Sequence, residues 1–471
     1  MKNKSHIFSF FALLTTFACI FSFSASAIEP PSEILEASSV YVVNIETDGC
    51  AYEYLPDSEL QPSATAKLMT ALTAYRFLEN RLSERVVISA EMTAGYAKYQ
   101  SFYTTEWKSL DSYRGSYIEI RDLFELLLIS GSDDAAQSLA LLCSKSVDGF
   151  VSEMNKYAEE LNMSSTVYKN VTGANVSNAK TTARDVSALA CEFYKKAELV
   201  RISASSNAQI YVGADNVTIF NKNPFSSTYY NTNYYDKEIN GILYGASSRT
   251  DTCLIAEKAE DNLSYICVIM GADNQSQLRD SEGKPRNAFT LCSTLLNYAQ
   301  KGFDLKCVLE NHRIFAELPV KLSRQADYVT LVPQKELFAF LPVDVEPERD
   351  LNYELSFERQ SLEAPLMQGE ALGSVEVFYG DVSLGTVALV ANNAVSKSLI
   401  LDIQDFFARL LKYPLTVILI VLALLLAVLS VFYRAHSEAV AIRTQKEAEA
   451  EEKSNAERKR NAGASAPDNR Q

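Results

Sequence analysis

From Leu415 to Phe432 the sequence runs for eighteen residues without a charge, and Thr416 and Ser430 are its only hydroxylated side chains. At about 1.5 Å per residue a helix of this length covers roughly 27 Å, enough to cross a bilayer's hydrocarbon core. Tyr413 and Tyr433 stand at its two ends, where aromatic rings favour the membrane interface. A buried core helix would need more protein after it. The C-terminal segment, Arg434 to Gln471, is instead rich in Glu, Lys, Arg and Ala, has no aromatic residue, and should stay solvated. The expectation is a transmembrane helix over 413–433 with a tail over 434–471, so the folded body must come before it. At the other end Lys2 and Lys4 precede an apolar run from Ile7 to Phe23 and the small residues Ala25-Ser26-Ala27. This is the pattern of a secretory signal peptide over 1–27. It puts the body outside the cytoplasm and the tail inside, in a single-pass cell-membrane protein. Just before the span, residues 400–412 place Leu401, Phe406, Phe407, Leu410 and Leu411 among Asp402, Asp405, Arg409 and Lys412. That spacing predicts an amphipathic helix lying on the membrane surface.

Composition then narrows the chemistry. The formal net charge is -15 and no basic patch is concentrated anywhere, which argues against nucleic-acid binding. Of the three histidines, His6 lies in the signal and His436 in the tail, leaving His312 for the body. A histidine-rich metal site is therefore excluded, no cofactor is implied, and a hydrolase here would take lysine or a carboxylate as its base. Seven cysteines remain after cleavage, an odd number with no CxxC pair. Most sit in apolar stretches and read as buried free thiols; a Cys253–Cys267 disulfide between neighbouring strands is the other possibility.

Between the two ends the periodicity changes once. From Ser39 to about Leu55 two short strands flank a turn at Thr47-Asp48-Gly49. Helical spacing then runs over Ala64–Leu82, Arg121–Ile129, Asp134–Cys143, Val147–Leu161 and Ala183–Lys196. Thr252–Glu257 and Leu263–Met270 read as strands joined around Asp261-Asn262, and Asn287–Lys301 as a helix. From Lys306 to Asn393 the runs ADYVTLV, LNYELSF, GSVEVFYG and GTVALVA alternate between Pro, Gly and charged turns, as in a small all-β domain. The expected order is an α+β domain over 28–302, a β domain over 306–397, the surface helix and the span.

Several segments, in the order in which they occur, resemble one family. VNIETDGCAYEYLPDSELQPSATAKLMTALTA, GSYIEIRDLFELLLISGSDDAAQSLA, KNVTGANVSNAKTTARDVSALA, FNKNPFSS with INGILYGASSRTDTCLIAEKAEDNLSYICVIMGAD, and GEALGSVEVFYGDVSLGTVALVA are similar to successive parts of the serine D-alanyl-D-alanine carboxypeptidases, the low-molecular-weight penicillin-binding proteins of the S11 peptidase type. The likeness covers nearly the whole mature chain. It implies a β-lactamase/transpeptidase-like domain, an antiparallel sheet with helices, and chemistry by three motifs. In S-x-x-K the serine attacks and a neutral lysine takes its proton. S-x-N relays protons and positions the substrate. K-T-G, on a strand edge, receives the substrate's terminal carboxylate.

This chain departs from all three. Lys67 keeps the family base position, but Ala64 stands three residues before it, and a methyl group cannot attack a carbonyl. Ser63 is one residue early, displaced by about 1.5 Å along the axis and turned by roughly 100°. The S-x-N positions become Gly131 and Asp133, with Ser130 and Ser132 out of register, and the K-T-G positions become Leu243, Tyr244 and Gly245. An anchoring cation is lost at Leu243 and an anion gained at Asp133, so Asp133 and Lys67 are expected to pair. Tyr244 is expected to fill the cleft, with Gly245 leaving space beside it. The resemblance with these changes implies a membrane-anchored, catalytically inactive homologue with a binding, scaffolding or regulatory role in peptidoglycan metabolism. Its partners would be peptidoglycan stem peptides or cell-wall synthesis proteins. The alternative is an active carboxypeptidase that removes the terminal D-Ala of stem peptides, using Ser63 with Lys67.

Overall fold

The computed structural model describes residues 37–94, 109–229, 233–246, 251–260, 263–273, 279, 283 and 285–462. The expected signal peptide, the Asp261-Asn262 turn and Ser247, Ser248 and Arg249 lie outside the described residues. The chain divides into two compact units. One runs to Val308 and takes in Phe338–Leu351; the other comprises Leu309–Leu337 and the chain from Asn352 onward.

The first unit begins with the hairpin β1 (Ser39–Asn44) and β2 (Cys50–Tyr54), then helix α1 (Thr65–Leu78) and the short strands β3 (Arg85–Val87) and β4 (Tyr117–Glu119). After them come helices α2 (Ile120–Ser130), α3 (Asp133–Cys143), α4 (Val147–Glu160), α5 (Ala183–Tyr194) and α6 (Ala197–Ala204). Next are strands β5 (Asn207–Val212), β6 (Asp215–Phe220), β7 (Ile239–Ala246), β8 (Thr252–Glu260) and β9 (Leu263–Ala272), and then helix α7 (Ala288–Gly302). Five strands form one antiparallel sheet in the order β2-β1-β9-β8-β7, so β7 is an edge. Because strand side chains alternate, the sheet has two faces with separate cores. Val43, Cys253, Ile255, Ile266 and Val268 meet helices α1 to α6. Val42, Leu254, Ala256, Cys267 and Ile269 meet α7.

Helix α1 is buried almost all round. Leu68, Met69, Ala71, Leu72 and Ala74 are fully enclosed, and α2, α3, α4 and α5 pack about it. A helix apolar on every side belongs at the centre of a domain, and its alanines and threonines let four neighbours approach closely. In the four-stranded sheet β3-β4-β5-β6, the strands β3 and β4 were not legible in the sequence, because three-residue strands carry too few side chains to show a period.

A pH effect is built into α2. Burial pushes the Asp122 carboxyl up to about 6, and burial followed by the nearby Asp122 charge pushes Glu125 up to about 7. An unfolded chain releases the Glu125 proton near 4.5, so between that pH and about 7 the folded state holds more protons than the unfolded one. Stability from this group is full at the acid end and is lost as pH rises through that window. Glu125→Gln is expected to flatten the fall in melting temperature between pH 4.5 and 7; an unchanged slope would count against it.

Strand β10 (Phe303–Leu309) pairs with β13 (Leu337–Pro342) in a two-stranded ribbon, and Phe303 stacks on Phe340 at 5.1 Å. The one-turn helix α8 (Pro347–Asp350) closes the first unit's second stretch of chain, and the second unit contains β11 (Ala316–Lys321), β12 (Tyr328–Pro333), β14 (Leu351–Phe357), β15 (Leu362–Glu363), β16 (Ala371–Tyr379) and β17 (Val382–Ala391). Its sheet order is β14-β16-β17-β12-β11-β15, and Val329, Leu331, Val375, Val377, Val387 and Leu389 are buried. Helix α9 (Leu399–Leu411) exposes Leu399, Ile400, Ile403 and, of the apolar residues singled out in the sequence, Phe406, Phe407 and Leu411, while Leu401 and Leu410 are half-buried. After Tyr413 comes α10 (Pro414–Ala462), 49 residues in one piece. It holds a window of mean hydropathy 2.7 with no buried residue, which fits a membrane span. The boundary expected at residue 433 is therefore a change of composition within one continuous helix.

Candidate active site

Three elements bring the sequence-predicted residues together: the start of α1, the start of α3 and the edge strand β7. Their local structure sets what each side chain can do. Pro62 ends the incoming loop, and Thr65 both donates its backbone N–H (2.9 Å) and directs its hydroxyl (2.5 Å) to the Pro62 carbonyl. Ser63 takes a left-handed conformation, φ +46°, unusual for a residue with a side chain. Ser63 is 1% exposed, and its hydroxyl donates to the Asp251 carboxylate in a short contact. Ala64 then occupies the cap position of α1 with no side chain able to cap it.

Ala64 faces β7 directly. A Cβ built on Gly245 would stand 2.5 Å from the Ala64 methyl, so the first and third motif positions are in contact and only glycine fits at 245. Behind Ser63, a Cβ on Gly173 would stand 1.6 Å from the Ser63 carbonyl oxygen. Gly173 has φ +81°, and Asn170 shapes its loop by accepting from the Thr172 (3.1 Å) and Gly173 (2.7 Å) backbone N–H groups. The loop and the start of α1 are interlocked.

Lys67 lies 2.7 Å from Asp133, with side chains 13% and 24% exposed. The carboxylate oxygen meets the ammonium outside the angles of a directed hydrogen bond, so this is a charge contact. The sequence predicts this pairing, and it occupies the amine with a carboxylate. Ser132 and Ser130 have other tasks. Ser132 caps α3 by accepting from the Ala135 N–H at 3.3 Å and donates to Asp134, while Ser130 donates to the Leu126 carbonyl at 2.6 Å. Gly131 ends α2 with φ +69°, the left-handed close that glycine makes without strain. We expect Lys67→Met or Asp133→Leu alone to cost about 2 kcal/mol in denaturant unfolding, because each strands a half-buried charge, and the double substitution to cost less than the sum. Additive costs would show that the two do not interact.

On β7 a bulge between Gly241 and Leu243 shifts the pairing with β8. Ile242 and Leu243 consequently both join the core beneath the helices, and Leu243 is 7% exposed. Tyr244 does not fill the cleft as expected. It points through the opposite face, 5.1 Å from Phe289 of α7, because it alternates with Leu243 and Gly245. At the start of α5, Arg184 reaches Asp57 at 2.8 Å, and Asp185 accepts from Thr166 at 2.7 Å.

Two residues of this site were not evident from the sequence. Asp251 holds Ser63. Lys222, half-buried after β6, has its amine pulled well below the ordinary lysine range, first by burial and then by the Lys67 charge, so the two lysines share a neighbourhood. A lone cation in the otherwise uncharged FNKNPFSS was the available signal for Lys222. Among the described residues no group of three His, Cys, Asp or Glu converges to hold a metal.

This arrangement defines a class. The family model for D-alanyl-D-alanine carboxypeptidase matches residues 24–274, more than half the chain, and a model for the C-terminal domain of penicillin-binding protein 5 matches residues 303–397. The chain belongs to the D-alanyl-D-alanine carboxypeptidase family of low-molecular-weight penicillin-binding proteins. It is 23% identical to the D-alanyl-D-alanine carboxypeptidase DacF of Bacillus subtilis, over 72% of this chain and 81% of the relative. It is 23% identical to DacD of Salmonella typhimurium, over 75% and 83%. In fold it is similar to penicillin binding protein 5 from Haemophilus influenzae, with a TM-score of 0.56 at 18% identity, covering 79% of this chain and all of that one. DacD from Francisella tularensis gives 0.58 at 17% identity, covering 79% and 96%.

Proposed function

We propose that this chain is a membrane-anchored, non-hydrolysing member of its family that binds peptidoglycan stem peptides, or proteins that make the cell wall, without cleaving them. One observation carries the reading: the Ala64 methyl stands against Gly245 where an attacking hydroxyl would be needed. Two others support it. Lys67, the only residue left at a family catalytic position, is neutralised by Asp133, and Leu243 offers no charge to a carboxylate. Backbone recognition is a different matter. As the edge of its sheet, β7 has a neighbouring strand in that sheet on one side only, and an extended peptide can add along an edge strand whatever the side chains.

The reading of Ser63 as a displaced nucleophile requires its hydroxyl to be accessible and aimed at Lys67. Its burial and its bond to Asp251 weigh against both. The test is to incubate the purified chain with a fluorescent β-lactam and with a pentapeptide ending in D-Ala-D-Ala. We expect no covalent label, no released D-alanine, and reversible peptide binding. A label lost on Ser63→Ala would establish the active alternative instead. The apolar span of α10 and the amphipathic α9 support anchoring, with the body over the wall side and the tail over 434–471 inside the cell.

A further inference from the structure

Helix α7 turns Ala288, Phe289, Cys292, Leu295, Leu296 and Ala299 toward the sheet, and all are buried there. Strand β9 gives the same layer Tyr265, Cys267 and Ile269, every second residue. Cys267 and Cys292 are each fully enclosed as free thiols in this one layer, as neighbours, and no other cysteine among the described residues belongs to it. Cys253, the strand partner considered from sequence, faces the opposite core with the α1 to α6 helices, so the sheet itself separates it from Cys267. Cys267 pairs with Val42 on one side and Ala256 on the other, which fixes its position at the centre of the sheet.

We propose that Cys267 and Cys292 close into a disulfide when the chain folds in an oxidising medium. One thiolate attacks the S–S bond of a small disulfide such as oxidised glutathione, or of a protein disulfide donor, and displaces one thiol. The second thiolate attacks the resulting mixed disulfide and displaces the other. Two S–H bonds are lost and one S–S bond forms; both electrons and both protons end on the two thiols of the reduced donor. The reaction belongs to folding rather than to the folded state. Once α7 has docked, water and oxidant are excluded, and burial together with the neighbouring sulfur holds the Cys292 thiol in its unreactive protonated form. The same enclosure shields the finished bond from reductants. The bond would tie α7 to the central strand and thereby fix Phe289, which backs Tyr244 of β7.

Its occurrence in the cell rests on the exported placement proposed above; its chemistry does not. The full chain, in detergent, is reduced, unfolded in urea and refolded by dilution into a mixture of reduced and oxidised glutathione. It is then denatured, alkylated and mapped. We expect a peptide pair linked through Cys267 and Cys292 in most refolded molecules, with the other mature cysteines alkylated. Folded, reduced protein given the same mixture without unfolding should keep both thiols. Alkylation at both positions after refolding, or a different dominant pair, would overturn the proposal. A body that stays inside the cell leaves this result unaltered, so the two readings fail separately.

Discussion

An Ala64→Ser variant is expected to remain nearly unreactive toward a β-lactam, while Ala64→Ser combined with Asp133→Asn becomes measurably acylated. The serine alone restores an oxygen opposite Gly245 and one helical turn from Lys67. It does not free a base, because Lys67 stays engaged with the Asp133 carboxylate 2.7 Å away. Asparagine at 133 removes that partner and releases the lysine side chain toward the new hydroxyl. General-base help contributes roughly 10² to 10⁴ in rate, so the double variant should exceed the single one by at least about 10²-fold. The gap between the double variant and the unaltered chain should be larger, on the order of 10⁶-fold, since loss of a nucleophile costs that much. Labelling followed over hours would measure both steps. Equal rates for the single and double variants would mean that Asp133 does not hold Lys67, and acylation of the unaltered chain would remove the reading of Ala64 altogether. Adding Ser63→Ala should alter none of these rates.

Gly173→Ala should be the most damaging single methyl in the first unit. The added carbon would overlap the Ser63 carbonyl oxygen, a backbone atom that cannot swing aside, and alanine would also have to hold φ +81°. Left-handed strain costs about 1–2 kcal/mol and overpacking against backbone a further 1–3, together about 4 kcal/mol. For a domain of this size that lowers the melting temperature by roughly 10 °C. Gly115→Ala is the control. It carries similar strain, φ +83°, with nothing within 4 Å of the new carbon, and should cost about 1 kcal/mol. If the two variants melted together, the interlock between the 170–174 loop and the start of α1 would carry no energy.

The parts of this molecule that the sequence displayed are those whose signal is periodic or pairwise. Helix α1, the hairpin at Ser39–Tyr54 and the strands of the second unit emerge from regular apolar spacing, and the Lys67–Asp133 pairing from opposite charges brought to one place by ordered motifs. The hidden parts depend on single backbone torsions. A positive φ at Ser63 decides which way its hydroxyl points, and no spacing rule encodes it. A bulge before Leu243 sends that side chain into the core and leaves Tyr244 on the far side of the sheet, although simple alternation along β7 would have placed neither reliably. Lys222 and Asp251 were missed because each joins the site from an irregular segment distant in sequence.

The unbroken run of α10 has a mechanical consequence. Forty-nine residues at about 1.5 Å each make a rod of roughly 73 Å, more than twice the thickness of a hydrocarbon core. A span across that core leaves more than half of this length beyond the bilayer as a stiff lever. With no hinge between the lipid-embedded segment and the charged stalk, a torque or sideways pull applied to Glu- and Lys-rich residues such as Glu449 and Lys453 is delivered as tilt at Pro414, some 50 Å away.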